Sequence, residues 1–152
     1  MNWEKIKQDI YYLDGSLRDI FVTNTKKDNW LQWAEYVNKN YNLEWYNGNT
    51  QTTVDKIDFS IVLEYWNGNT DLYSTAKIFI GNIQINSHFF DDEEFENDIS
   101  PKEFDNIQDH NLLVKYMSDL SKLFEKTIYL TPENEHDIKL FEVKGDDVKY
   151  AI

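Results

Sequence analysis

Three histidines, 28 acidic residues and no cysteine bound the chemistry this chain can carry. His88, His110 and His136 lie far apart, without the i, i+4 pairing or the Glu neighbour of a helical zinc site. His110 follows Asp109, so a general base oriented by a carboxylate is one reading. A helix-start histidine close to solvent is the simpler one, and it is the expectation here. His88 sits where a strand pattern fades into Phe89-Phe90, which points to partial burial rather than ligation. The lack of cysteine removes a disulfide framework, a thiolate metal site and a cysteine nucleophile. The five glycines form no phosphate-binding loop and no nucleophile elbow. Asp91-Asp92-Glu93-Glu94 invites calcium, but an EF-hand loop needs a glycine at its sixth position, and none falls between Asp91 and Asp109. So many acids always allow some pair at glycosidase separation, and the sequence singles out none. The expectation is a chain without catalytic residues, metal ligands or cofactor.

What remains is charge. The 28 acids face 15 bases, for a net charge of −13, and Lys102 is the one base between Asp91 and Asp109. Such a surface suits a cationic partner and repels nucleic acid and anionic lipid, whose binding needs Lys and Arg. Asp91, Asp92, Glu93, Glu94, Glu96 and Asp98 are the candidate partner-binding carboxylates, expected on a loop because the segment is too charged for a core element. Trp45-Tyr46 and Tyr65-Trp66 add a second candidate, since neighbouring strand side chains point to opposite faces. Packing of the outward rings by a further layer is the simpler reading, and an exposed aromatic edge around Trp45 and Trp66 is the competing one. No stretch approaches the roughly 18 apolar residues of a membrane span, and the charged start precedes no apolar run. A cytoplasmic protein that touches neither membrane nor nucleic acid is expected.

These residues need a scaffold, and the chain can build one. Its 41% apolar and 16% aromatic content offsets the entropy of ordering, so a single domain over residues 1–152 is expected. A chain of this length buries roughly 70% of its unfolded surface. Asn2 as cap with Trp3, Ile6 and Ile10 at helical spacing predicts an opening helix. Leu17 to Val22 reads as a strand broken by Arg18-Asp19. Thr25 and Asp28 resemble a capping box for a helix carrying Trp30, Trp33, Ala34 and Val37. Leu43-Glu44-Trp45-Tyr46-Asn47-Gly48-Asn49-Thr50 returns as Leu63-Glu64-Tyr65-Trp66-Asn67-Gly68-Asn69-Thr70, predicting two hairpins with type I′ turns at Asn-Gly. Ala76, Ile78 and Ile80 alternate, and the phase shifts to Ile83 and Ile85 across Gly81-Asn82, as a bulge or tight turn would produce. From Asp105, with Gln108 at the capping-box position, Ile107, Leu113, Tyr116, Met117, Leu120, Leu123 and Phe124 mark the longest amphipathic helix. Strands follow at Thr127–Thr131, Ile138–Val143 and Val148–Tyr150. The order predicts an α+β fold, an antiparallel sheet with helices packed on one face and a split β-α-β core.

The strings Ile10-Tyr11-Tyr12-Leu13-Asp14-Gly15-Ser16-Leu17-Arg18-Asp19-Ile20-Phe21-Val22 and Ile128-Tyr129-Leu130-Thr131-Pro132-Glu133-Asn134 resemble small acidic bacterial immunity proteins of polymorphic and contact-dependent toxin systems. The resemblance implies a cytoplasmic inhibitor, not an enzyme, that binds a cognate toxin domain, a basic nuclease in particular, and blocks its active site. It carries over no binding residue, because such proteins diverge most at the binding surface. Carboxylates on the inhibitor would match a nuclease's phosphate groove and steer association. An acidic nucleic-acid mimic acting on a DNA-binding defence protein is the alternative that uses the same physics.

Overall fold

Local signals place the helices. The computed structural model describes residues 2–151. Helix α1 (Trp3–Asp9) starts where the Asn2 side chain accepts the Lys5 N–H at 2.9 Å. Helix α2 (Lys27–Asn40) buries Trp30, Trp33, Ala34 and Val37 on one face. Its cap, Lys26, falls one residue after the expected Thr25: the Asn29 side chain holds the Lys26 N–H at 3.0 Å, while the Thr25 hydroxyl donates to the Asp92 carbonyl at 2.8 Å. Helix α3 spans Phe59–Trp66. Helix α4 (Ile107–Phe124) is capped by Asn106 rather than Asp105, and its inward face carries Leu113, Tyr116, Met117, Leu120 and Phe124.

The strands are β1 (Arg18–Thr23), β2 (Asn42–Asn47), β3 (Thr52–Val54), β4 (Thr75–Ile80), β5 (Ile83–Ser87), β6 (Glu94–Ile99), β7 (Ile128–Pro132), β8 (Phe141–Lys144) and β9 (Asp147–Tyr150). They form one antiparallel nine-stranded sheet in the order β3-β2-β4-β5-β6-β1-β7-β8-β9. Both β6 and β7 run antiparallel to β1 and are therefore parallel to each other, with α4 as their crossover. That is a split β-α-β unit around β1. The same parity makes β1 and β2 parallel, with α2 between them in sequence and β4, β5 and β6 between them in the sheet. One apolar cluster, built from Ile20 and Val22 of β1, Ile78, Ile85, Phe95, Leu130 and Phe141 of the other strands, and the buried stripes of α1, α2, α3 and α4, lies on the helix side. The α+β architecture is as the sequence predicts.

Three local expectations fail. First, the segment with the candidate carboxylates is not a loop throughout, because β6 lies between β5 and β1 in mid-sheet. Its period of two sends Phe95, Asn97 and Ile99 into the core and Glu94, Glu96 and Asp98 to the opposite face, so its charge is confined to one side. Second, the repeated octapeptide adopts two structures. Its first copy is β2 leading by a longer turn into β3, with positive φ at Gln51 and not at Gly48, so no type I′ turn forms there. Its second copy is the end of α3, where Gly68 (φ +77°) closes a Schellman motif: the Asn69 N–H donates to the Glu64 carbonyl and the Gly68 N–H to the Tyr65 carbonyl. Third, the strand expected from Ile138 begins only at Phe141, and Ile138 is exposed. By contrast, Gly81 (φ +58°) with Asn82 does form a two-residue hairpin turn between β4 and β5.

Candidate functional site

Strand alternation decides which side chains share the face that carries no helix. On β1, Arg18, Ile20 and Val22 point to the helix side, and Arg18 is held there by the Ile10 and Tyr12 carbonyls at 2.8 and 2.6 Å. Asp19 and Phe21 therefore point the other way, and their cross-strand partners on β6 are Asp98 and Glu96. The connection from β7 to β8 folds over this spot and delivers His136. Its Nε2 lies 2.9 Å from Asp19 Oδ2 and 3.0 Å from Glu96 Oε1, and its ring stacks on Phe21 with centroids 3.8 Å apart. The Asn134 N–H donates to the same Asp19 oxygen at 2.9 Å, fixing the carboxylate. Beside this triad, Asp98 accepts the Asn86 side-chain amide at 2.8 Å and pairs with His88 Nε2 at 3.0 Å. Three carboxylates and two imidazoles thus converge from β1, β6, the end of β5 and one connection.

The electrostatics follow from that crowding. Desolvation, then the neighbouring Asp19 charge, pushes the Glu96 carboxyl up to about 7, against the pull of His136. The Asp98 hydrogen bond raises His88 above the ordinary imidazole value, with burial opposing it. Among the described residues, no Lys or Arg forms an ion pair with Asp19, Glu96 or Asp98. Lys139 turns to the His136 carbonyl and lies over the Tyr129 ring at 4.4 Å and the Phe21 ring at 5.9 Å, without pairing with a carboxylate of the cluster. The cluster can accept a proton or a cation, and it ties the connection to the sheet.

The candidate carboxylates therefore separate into two groups. Glu96 and Asp98 belong to the histidine cluster. Asp91, Glu93 and Glu94 are exposed and Asp92 half-buried, in a strip at the entry to β6. Phe89 (φ +56°) is buried against Trp30 and Trp33, which leaves the next residue, Phe90, 68% exposed beside the acids. Carbonyls of this segment are held by three donors: Trp66 Nε1 to Phe89 at 2.8 Å, Thr25 Oγ1 to Asp92 at 2.8 Å and the Thr25 N–H to Glu93 at 3.0 Å. An open groove of about 610 Å³ lined by Asn24, Thr25, Lys26, Lys27, Asp28, Asp92 and Glu93 borders the strip.

The competing reading, an exposed aromatic edge around Trp45 and Trp66 as a partner-binding surface, fails. Trp45 points inward from β2 and is 1% exposed, while outward-facing Tyr46 is its exposed neighbour. Trp66 is helical and packs on Trp30 and Phe59. His110 is also misplaced by the sequence reading: it is buried, and it shares hydrogen bonds with the Tyr11 and Tyr150 hydroxyls at 2.6 and 2.7 Å rather than with Asp109. Sequence spacing does not associate the members of the histidine cluster, which lie up to 117 residues apart. The visible trace was Asp19 interrupting the apolar run of β1.

Comparison with protein-family models, curated proteins and solved structures finds no match to this chain. Among the described residues, no helix is long and apolar enough to cross a membrane.

Proposed function

We propose that this chain is a stoichiometric protein inhibitor of the immunity type, which docks a basic partner, such as a nuclease toxin domain, through the strip from Phe90 to Glu94. The observation that supports the reading most is that the strip is both exposed and pre-ordered. Phe89 in the core and the donors from Trp66 and Thr25 hold its backbone, so its carboxylates are presented with little ordering entropy left to lose on binding. Exposed Phe90 offers an apolar anchor beside the charges, the arrangement in which a few residues dominate binding energy. A net charge of −13 extends the attraction beyond contact distance.

The test is capture from the source cells on immobilised protein, with parent and a variant carrying Asp91→Asn, Asp92→Asn, Glu93→Gln and Glu94→Gln. The reading expects one basic protein held at equal stoichiometry by the parent, released by salt and not retained by the variant. Equal retention by both proteins, or a partner of acidic character, contradicts it. A retained DNA-binding protein that duplex DNA displaces would instead favour a nucleic-acid mimic.

A further inference from the structure

The geometry points to a divalent metal site on the helix-free face, where Asp19 Oδ2, Glu96 Oε1 and His136 Nε2 bind one ion of the zinc class. The three ligand atoms come from three separate places, β1, β6 and the β7–β8 connection, and all lie within 4.8 Å of one another. The imidazole nitrogen is 2.9 and 3.0 Å from the two oxygens. Metal–ligand bonds of about 2.0–2.2 Å place neighbouring ligand atoms roughly 3.0–3.5 Å apart, so the two nitrogen–oxygen separations need to open by only a few tenths of an ångström to admit an ion.

The ligand supports are already built. Phe21 holds the plane of the imidazole by stacking, and the Asn134 N–H fixes the Asp19 carboxylate. The Asp19 side chain is 4% exposed, whereas those of Glu96 and His136 are 20% and 27% exposed, which leaves room on the solvent side for water as a further ligand. The charge is unbalanced as well: Asp19, Glu96 and Asp98 share the face with no Lys or Arg ion pair among the described residues, and Arg18 is turned to the opposite side. A divalent cation supplies what the side chains lack. Imidazole together with carboxylates selects zinc and its first-row neighbours over magnesium and calcium, which take oxygen ligands. Bound there, the ion clips the β7–β8 connection to the middle of the sheet. This inference does not depend on the identity of any partner.

Calorimetric titration of the full chain, freed of metal by chelator and dialysis, tests it with zinc chloride and with magnesium chloride. One zinc ion per chain, a raised melting temperature and no comparable response to magnesium are expected. His136→Gln and Glu96→Gln should each weaken zinc binding about tenfold or more. His88→Gln, which alters the neighbouring pair with Asp98, should change it by less than about twofold if the ion sits in the triad. A second readout needs no substitution: in nitrogen-labelled parent protein, zinc should shift the His136 ring resonances and leave those of buried His110 in place. Absence of one-to-one binding, unchanged affinity in both ligand variants, or zinc-induced shifts at His88 without His136 would overturn the assignment.

Discussion

His110 makes folding stability depend on pH in a calculable way. The ring is 1% exposed, with Nδ1 2.6 Å from the Tyr11 hydroxyl and Nε2 2.7 Å from the Tyr150 hydroxyl. A neutral imidazole offers one donor and one acceptor, so one phenol donates to it and the other accepts from it. Protonation would force both phenols to accept and would place a charge in the core; burial accordingly pushes the His110 pKa down to about 4. In the unfolded chain the group titrates near 6.5, so as pH falls below about 6.5 the unfolded state takes up the proton first. The stabilisation is thus complete above that value and is lost progressively toward pH 4. The full difference is about 3 kcal/mol, of which about 2 kcal/mol is gone by pH 5. His110→Gln retains a donor and an acceptor but does not titrate. Urea unfolding of parent and variant at pH 7.5 and pH 5 should show the parent's advantage shrinking by about 2 kcal/mol, with m-values unchanged. An advantage that is the same at both pH values would refute a buried neutral imidazole.

Other substitutions probe the core and the two copies of the repeat. Tyr116→Phe removes the acceptor of the Trp33 indole N–H and the donor to Asn97, two buried groups, and should cost about 1–3 kcal/mol by chemical denaturation; no loss would contradict that network. Leu120→Ala, at a position 0% exposed on α4, should cost about 2–5 kcal/mol in the same assay, and a cost below about 1 kcal/mol would place the residue outside the core. Gly68→Ala meets no neighbour but must hold a left-handed φ of +77°, a penalty of about 1 kcal/mol. Gly48→Ala, without positive φ, would drive its new methyl group into the Tyr73 carbonyl, whose carbon lies 2.9 Å away, and should lower the melting temperature further than Gly68→Ala. The reverse order would show that conformation, not space, governs both glycines.

Helices α1, α2 and α4 were legible because their signals are local, whereas α3 was read as part of a hairpin. Asn2 caps α1 as expected, and the stripe from Leu113 to Phe124 needs only a 3.6-residue period to be read. The octapeptide repeat misled because its aromatic and Asn-Gly content suits both a strand entering a turn and a helix closing on glycine. Packing of half-buried Trp66 against Trp30 and Phe59 accompanies the second outcome. The density of acids from Asp91 to Asp98 hides the strand β6, whose alternation is carried only by Phe95 and Ile99. Of the candidate carboxylates, those from Asp91 to Glu94 do form a surface strip, whereas Glu96 and Asp98 join histidines that sequence spacing could not associate with them. Asp19 and His136 meet only because β1 pairs with β7 and the following connection returns over the sheet, a tertiary fact with no local signature.

Association kinetics test the proposed inhibitor most directly. With the protein retained in the capture experiment as analyte, surface plasmon resonance at low and at physiological salt should show association with the parent about tenfold or more faster than with the variant carrying Asp91→Asn, Asp92→Asn, Glu93→Gln and Glu94→Gln. The gap should narrow as salt screens the strip. Equal association rates at low salt for two equally folded proteins would contradict docking through the strip from Phe90 to Glu94.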